Sequence, residues 1–507
     1  MLISALRRGV QGLSLLLFLW LLIRTTWPLH TPLSPSLFLR ADPLAGLSVA
    51  LSPYRSWSLV ALFWPALALL VATALFGRFF CGWLCPVGTL VEAADDTLGV
   101  AWASRGAARL GRRGAPALRD PGLKYALLAL VLVAAFFGTH LFWLLDPIPL
   151  LTRTYAVFAD GLGRSLYNTA VPLLRHAGLH VRPVPERAFA LEGLTAGLFM
   201  LILMGAFLGR RTWCRTLCPL GALLALTGRW SLWRRRAGAA CNSCGRCAPS
   251  CPMQAIPADS PLQTRQAECI QCYECVSACQ RDANSLVLGT VAVDAAVDVG
   301  RRQFLAVSVL GLGYGWLAGQ GLIPRFVHNR LIRPPGAIVR GPNGAIVRLM
   351  TESEFRSKCL RCGQCLKACI TGGLQPAVTE AGVDGFYTPL LKPRAGWCEQ
   401  NCAACGLVCS SGALVPFSIQ EKPGIQIGEV RINHDTCLAW GQGDKYRECL
   451  VCDEQCSYDA ISQDRGDGVQ RPIVDDKKCT GCGQCENVCP VKPEAAIIVT
   501  RRAGPRV

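Results

Sequence analysis

Twenty-four of the 28 cysteines in this 507-residue chain fall into six tight groups of four. No other feature limits the fold so strongly, because four thiols crowded into one short run must wrap around something inorganic. The runs "CNSCGRCAPSCP" (Cys241, Cys244, Cys247, Cys251) and "CIQCYECVSACQ" (Cys269, Cys272, Cys275, Cys279) keep the spacing C-x2-C-x2-C-x3-C. That spacing wraps a loop around one iron-sulfur cubane and sends its fourth cysteine to a neighbouring cluster. Zinc is the competing occupant, but structural zinc uses two separated C-x2-C knuckles and has no use for a third cysteine two residues on. Disulfides fit no better, since the cysteines of a secreted scaffold fall singly.

The second half of the chain repeats the theme. Cys359, Cys362, Cys365 and Cys369 form a regular run, as do Cys479, Cys482, Cys485 and Cys489. Between them lie Cys398, Cys402, Cys405 and Cys409, with a wider first gap, and Cys437, Cys449, Cys452 and Cys456, with the loop "LAWGQGDKYRE" after the first thiol. The 24 ligands suffice for six 4Fe-4S clusters. In the first pair of runs the simplest assignment joins Cys279 to Cys241, Cys244 and Cys247, and Cys251 to Cys269, Cys272 and Cys275. Cys279, Cys369, Cys409 and Cys456 lack the proline that usually follows the last cysteine of such a run.

A hydrophobic share of 51% is too high for a wholly soluble chain. Four apolar segments precede residue 210: about 12–23, 59–76, 125–145 and 194–208. With their flanks the last three reach the ~20 residues of a spanning helix, while the first is short. The loops 78–124 and 210–236 carry seven Lys/Arg each, against three and five in the other two. The positive-inside rule therefore puts the N-terminus, the first of these loops and the stretch after the fourth helix in the cytoplasm. The net charge of +18 is explained by that placement, and a nucleic-acid partner is excluded.

The membrane half is also an internal repeat. "RFFCGWLCPVGTL" from Arg78 and "RTWCRTLCPLGAL" from Arg211 share R-x-x-C-x-x-L-C-P-x-G-x-L, and Asp42-Pro43 is echoed by Asp146-Pro147. The four remaining cysteines, Cys81, Cys85, Cys214 and Cys218, stand at i and i+4 in these motifs, on one face if the helix continues. Pro86 and Pro219 argue for a distorted helix end. Three readings stay open for these thiols: buried structural cysteine, a redox dithiol activated by the neighbouring arginines, and ligands of a shared metal site.

"GRRQFLAVSVLGLGYGWLAG", from Gly300, has the character of a twin-arginine export signal in mid-chain. Its apolar run reaches Pro324 and is long enough for a fifth spanning helix, which carries everything beyond it outside. Its "GLGYG" is not a dinucleotide loop, because no strand precedes it. The fold class is thus an α-helical membrane domain, four helices in two repeated hairpins plus a fifth anchor helix, with two α+β ferredoxin-like domains. The boundaries are 1–235 for the membrane domain, 236–299 for a cytoplasmic two-cluster domain, 300–324 for the anchor and 325–507 for a periplasmic four-cluster domain.

With "CGWLCPVG", "CRTLCPLG" and two ferredoxin runs, the first half resembles NapH, MauN and the membrane core of NosR. Residues 300–507, with "RRQFL" and four cluster motifs, are similar to NapG and MauM, their exported partners. The resemblance implies a quinol dehydrogenase component of a bacterial cytoplasmic membrane. Its clusters would pass electrons from the quinone pool to a periplasmic cytochrome c or terminal reductase, alongside other membrane subunits. By analogy with four-cluster ferredoxin subunits, it also implies pairing of the first late cysteine group with the fourth and of the second with the third. Residues for a quinol site are His140, Asp146 and Asp42, near the outer helix ends. Two other functions fit the same residues: an electron-donating maturation factor for a periplasmic oxidoreductase, and a copper-handling reductase. No C-x-x-C-H is present, so covalent haem is unsupported.

Overall fold

Aspartate and proline set the helix starts of the N-terminal half. Asp42 caps Pro43–Leu51, its carboxylate accepting from the Leu44 amide at 2.9 Å, with proline in the first turn where no amide is needed. Asp146 stands in the same place before Pro147–Thr154 and accepts from Ile148 at 3.4 Å. The computed structural model describes residues 2–29, 32–54, 60–99, 122–289, 309, 311–313, 316, 329–441, 446–464 and 469–502. Arg301, Arg302 and most of the proposed anchor helix lie outside the described residues.

The chain divides into two compact units. The first comprises Met1–Leu22, Leu37–Thr152 and Leu194–Leu322. Here the helices Pro43–Leu51, Trp64–Phe76, Leu123–Phe136 and Pro219–Gly228 pack on one another. Among the described residues only Ile3–Ile23 is long and apolar enough to cross a membrane. This reverses the relative lengths expected for the apolar segments. The N-terminal helix starts at Leu2 and absorbs Arg7, whereas the segment 125–145 breaks after Phe136. The break is a Schellman motif: Gly138 takes a left-handed φ of 78°, and the Thr139 amide donates to Ala134 at 2.9 Å. Beyond the helices, Trp233–Ala237 pairs antiparallel with Asn284–Leu288, and this two-stranded ribbon brackets the first eight cluster cysteines.

The second unit comprises Ile23–Ser36, Arg153–Gly193 and Ile323–Val507. It is built from short antiparallel ribbons, Leu374–Pro376 with Pro389–Leu391, Ile461–Asp464 with Arg471–Val474, and Gly428–Ile432 with Ile497–Arg501. One short helix follows each cysteine loop, such as Gln364–Ala368 and Gln484–Val488. Its core gathers Phe355, Leu366, Leu391, Val430 and Val499 around cluster cysteines. The segments between the helices of the first unit are tied into it. Lys367 pairs with Asp160 at 2.9 Å, and Tyr387 donates to the Leu191 carbonyl at 3.1 Å.

Candidate iron-sulfur centres

Each regular cysteine run folds by the same backbone rule. The residues before and after the second cysteine both take left-handed φ: Ser243 and Gly245 (56° and 72°), Gln271 and Tyr273 (54° and 62°), Arg361 and Gly363 (53° and 76°), Gly481 and Gly483 (74° and 83°). Serine, glutamine, tyrosine and arginine adopt that region at a cost. The return is that successive amides turn inward and form a concave anion nest. Amides also donate to the last cysteine of several runs, Ala255 to Cys251 at 3.3 Å, Leu414 to Cys409 at 3.4 Å and Ala460 to Cys456 at 3.4 Å. This donor set suits an anionic thiolate-ligated cluster.

The quartets that converge take three cysteines from one run and the last from a neighbour. One cavity is lined by Cys369 with Cys398, Cys402 and Cys405. Another has Cys489 with Cys437, Cys449 and Cys452, and a third has Cys456 with Cys479, Cys482 and Cys485. Cys409 acts electrostatically on Cys359, Cys362 and Cys365, and Cys251 acts on Cys269, Cys272 and Cys275. Cys251 thus stands with the partners of the simplest assignment. In the second unit the pairing differs from the expected one: the first group exchanges with the second and the third with the fourth. The physical reason is chain proximity, since the ribbon Gly428–Ile432 with Ile497–Arg501 encloses the third and fourth groups together. Among the described residues no three Cys, His, Asp or Glu side chains converge on a single-ion site.

The thiols of the repeated motifs do not share a helix face. Phe79–Trp83 ends at Leu84, and Cys85 instead caps Pro86–Ala94, its sulfur accepting from Gly88 at 3.3 Å. Cys218 does the same for Pro219–Gly228 through Gly221 at 3.2 Å. Proline forces both breaks. Cys81 and Cys214 pack with Cys251 on Met253, Ile270 and Cys272, so both motifs meet where the two cysteine runs of this unit touch. The motif arginines cross between repeats. A Cβ on Gly221 would stand 3.0 Å from Nη2 of Arg78 and 3.4 Å from the sulfur of Cys218, while Arg211 donates to the Cys81 carbonyl at 3.2 Å. Burial pushes the thiols of Cys85, Cys214 and Cys218 up, against the lowering expected from the arginines.

Two acids that the sequence reading passed over neutralise this centre. Glu92 takes Arg7 in a bidentate pair at 2.6 and 2.9 Å, Gln11 at 2.9 Å, and Arg211. Glu268 takes Arg78 at 2.9 Å, the Tyr125 hydroxyl at 2.8 Å, and Lys124. The signal was present in the sequence, because an arginine opening each repeat must find an anion once buried. Asp42 and Asp146, both wholly buried, lie carboxyl to carboxyl. Among the described residues neither Oδ2 meets an N–H or O–H donor, so the pair needs a shared proton. His140 is also buried, edge to face with Phe142 at 5.4 Å between ring centres.

Cubane-spaced nests and cross-completed quartets define an iron-sulfur protein of the ferredoxin type. Residues 57–105 and 190–237 match the 4Fe-4S binding domain family, and 240–284 and 447–492 match two 4Fe-4S dicluster domain families. The chain is 34% identical to the ferredoxin-type protein NapG of Escherichia coli over 39% of this chain and 84% of that protein. It is 32% identical to the methylamine utilization ferredoxin-type protein MauM of Paracoccus denitrificans over 41% of this chain and 90% of that protein. A protein named for electron transport, YccM of E. coli, is 31% identical over 52% of this chain and 68% of its own length. The chain belongs to this family of ferredoxin-type electron transport proteins.

Proposed function

We propose that the chain is a membrane-embedded relay that takes electrons from quinol and passes them through six 4Fe-4S clusters to a redox partner beyond the membrane, a cytochrome c or a terminal reductase. The observation that carries the reading is the completion of five quartets by the last cysteine of a neighbouring run, which keeps paired clusters within one short fold. When bound, such clusters supply one-electron carriers. The chain's own part is to hold 24 thiols in place, turn amides toward them and exclude water.

Support for a membrane setting comes from the exposed faces of the first unit. Trp64, Leu67, Val71 and Leu75 line one helix face at 70, 64, 54 and 43% exposure, and Leu13, Leu16 and Leu201 are equally bare. The interior meanwhile holds Arg78, Lys124, Asp42 and Asp146. Apolar outside and charged inside is the arrangement a hydrocarbon solvent selects. Sidedness is supported by the composition of the units. Segments 23–36 and 153–193, which lie in the less basic loops, fold with the last four cysteine groups. The basic stretches beside Cys81 and Cys214 fold with the first two groups. Cys81, Cys85, Cys214 and Cys218, as redox thiols, stand next to the first two cysteine runs and so beside the electron path.

The test is to mix the anaerobically purified, detergent-solubilised chain with a reduced quinol analogue. Bleaching of cluster absorbance with growth of reduced-cluster EPR signals supports the reading. Clusters that dithionite reduces and quinol leaves oxidised contradict it.

A further inference from the structure

The first unit contains a cavity of about 410 Å³ that no cysteine lines. Its walls include Phe76, Phe79, Trp83, Trp233, Gln271 and Tyr273. Phe76 ends the apolar helix Trp64–Phe76, Phe79 and Trp83 belong to the first cysteine motif, and Gln271 and Tyr273 flank cluster cysteine Cys272. Val10, also on the wall, brings in the N-terminal helix. An exposed apolar helix end, an aromatic slot and a ferredoxin loop therefore meet around one space.

The lining specifies the ligand. No charged side chain is among these residues, which argues against an ionic guest. The Trp83 and Tyr273 rings cross edge to face with centres 6.3 Å apart, leaving walls suited to a flat ring. Most polar hydrogens are already used. The Trp83 indole donates to the Gln271 carbonyl at 3.0 Å, the Trp233 indole to the Tyr273 hydroxyl at 3.3 Å, and the Gln271 amide to the carbonyls of Phe76 and Trp233. The Tyr273 oxygen accepts from Trp233, and among the described residues its own hydrogen remains to donate. One donor in an aromatic pocket of this volume matches small-molecule sites in general. A planar ring bearing a carbonyl and an apolar tail fits it.

We propose that this cavity binds the headgroup of a membrane quinone, with Tyr273 donating to one quinone oxygen. The proposal rests on the quinol reading above and moves the site away from His140, Asp146 and Asp42. Tyr273 is covalently next to Cys272, so a bound ring lies within a side chain's length of the loop that holds the cluster of Cys251, Cys269, Cys272 and Cys275. Oxidation of quinol to quinone there releases two electrons and two protons. The cluster that Cys251, Cys269, Cys272 and Cys275 would hold would supply the one-electron acceptor beside the site, and the protons leave to water.

The experiment is calorimetric titration of the anaerobically purified full chain with decylubiquinone, for wild type, Tyr273→Phe, Phe79→Trp and Asp146→Asn, each with its cluster EPR spectrum as a folding control. Tyr273→Phe keeps the ring and the cluster loop, so its spectrum should be unchanged while binding weakens about tenfold through loss of one hydrogen bond. Phe79→Trp should weaken binding by narrowing the slot, and Asp146→Asn should bind as wild type. The proposal is overturned if wild type shows no saturable binding, or if Tyr273→Phe binds as tightly as wild type. Loss of binding in Asp146→Asn alone would likewise overturn it. A Tyr273→Phe chain that binds quinone as tightly as wild type sinks this site alone, whereas a cluster-bearing chain that binds no quinone sinks the quinol reading with it.

Discussion

Gly82 lies against Ile270 so closely that a Cβ on the glycine would stand 2.2 Å from the Ile270 carbonyl oxygen. The residue in the same place of the second repeat is Arg215, whose side chain reaches Gln254 at 2.6 Å. The repeat thus departs from symmetry where the second cysteine run seats on the first motif. Gln11 also donates to the Gly82 carbonyl at 3.0 Å, which ties the N-terminal helix into the same joint.

Replacing Gly82 by alanine should force the motif and the loop apart. The expected cost is about 1–3 kcal/mol, the range for overpacking a close contact. Thermal unfolding would read it as a lowered midpoint. The EPR signal of the cluster held by Cys269, Cys272, Cys275 and Cys251 should change while signals from the second unit persist.

Glu92 is the shared anion of Arg7 and Arg211, both about 1% exposed. Glu92→Gln removes the charge and leaves two buried guanidinium groups facing an amide, so it should cost about 3–5 kcal/mol. Denaturant unfolding of the purified variant checks this. A loss below ~0.5 kcal/mol would show that the pair does not hold the helices together.

The same carboxylate gives a pH signature. Burial pushes Glu92 up, but the hydrogen bonds from Arg7 and the charge of Arg211 win and hold it at about 2. In the unfolded chain it titrates near ~4.3. Its contribution is therefore complete above that value and is lost as pH falls from ~4.3 toward 2. Wild type and Glu92→Gln should converge in stability over that window and stay apart at neutral pH.

Ligand exchange between cysteine groups predicts non-additive losses. Cys369 lines the same cavity as Cys398. Cys369→Ala and Cys398→Ala should each lower iron by about four per chain, and the double variant should lose no more than either alone. If the first group were paired with the fourth, the double variant would lose about eight.

The cysteine loops were legible in the sequence because their geometry is local. Spacing alone implies the nest, and glycine at 245, 363, 481 and 483 marks left-handed positions. The partners of Cys251 were named only as the simplest assignment, because spacing does not settle them. The pairing of the four late groups was not legible, because analogy supplied it while strand pairing between residues 428–432 and 497–501 decides it. The repeated motifs announced themselves, yet the crossing of Arg78 and Arg211 between repeats is a tertiary fact. The meeting of Asp42 with Asp146 is another, since each Asp-Pro step reads equally well as a plain helix cap. Helix lengths misled because apolar composition does not mark a Schellman stop unless the glycine at 138 is given weight.

The most direct test of the central claim is iron and acid-labile sulfide analysis of the anaerobically purified full chain, with zinc measured on the same sample. Six cubanes predict about 24 irons and an equal number of sulfides per chain, with negligible zinc. A colourless protein with little iron, or one whose cysteine groups carry zinc, would contradict the account.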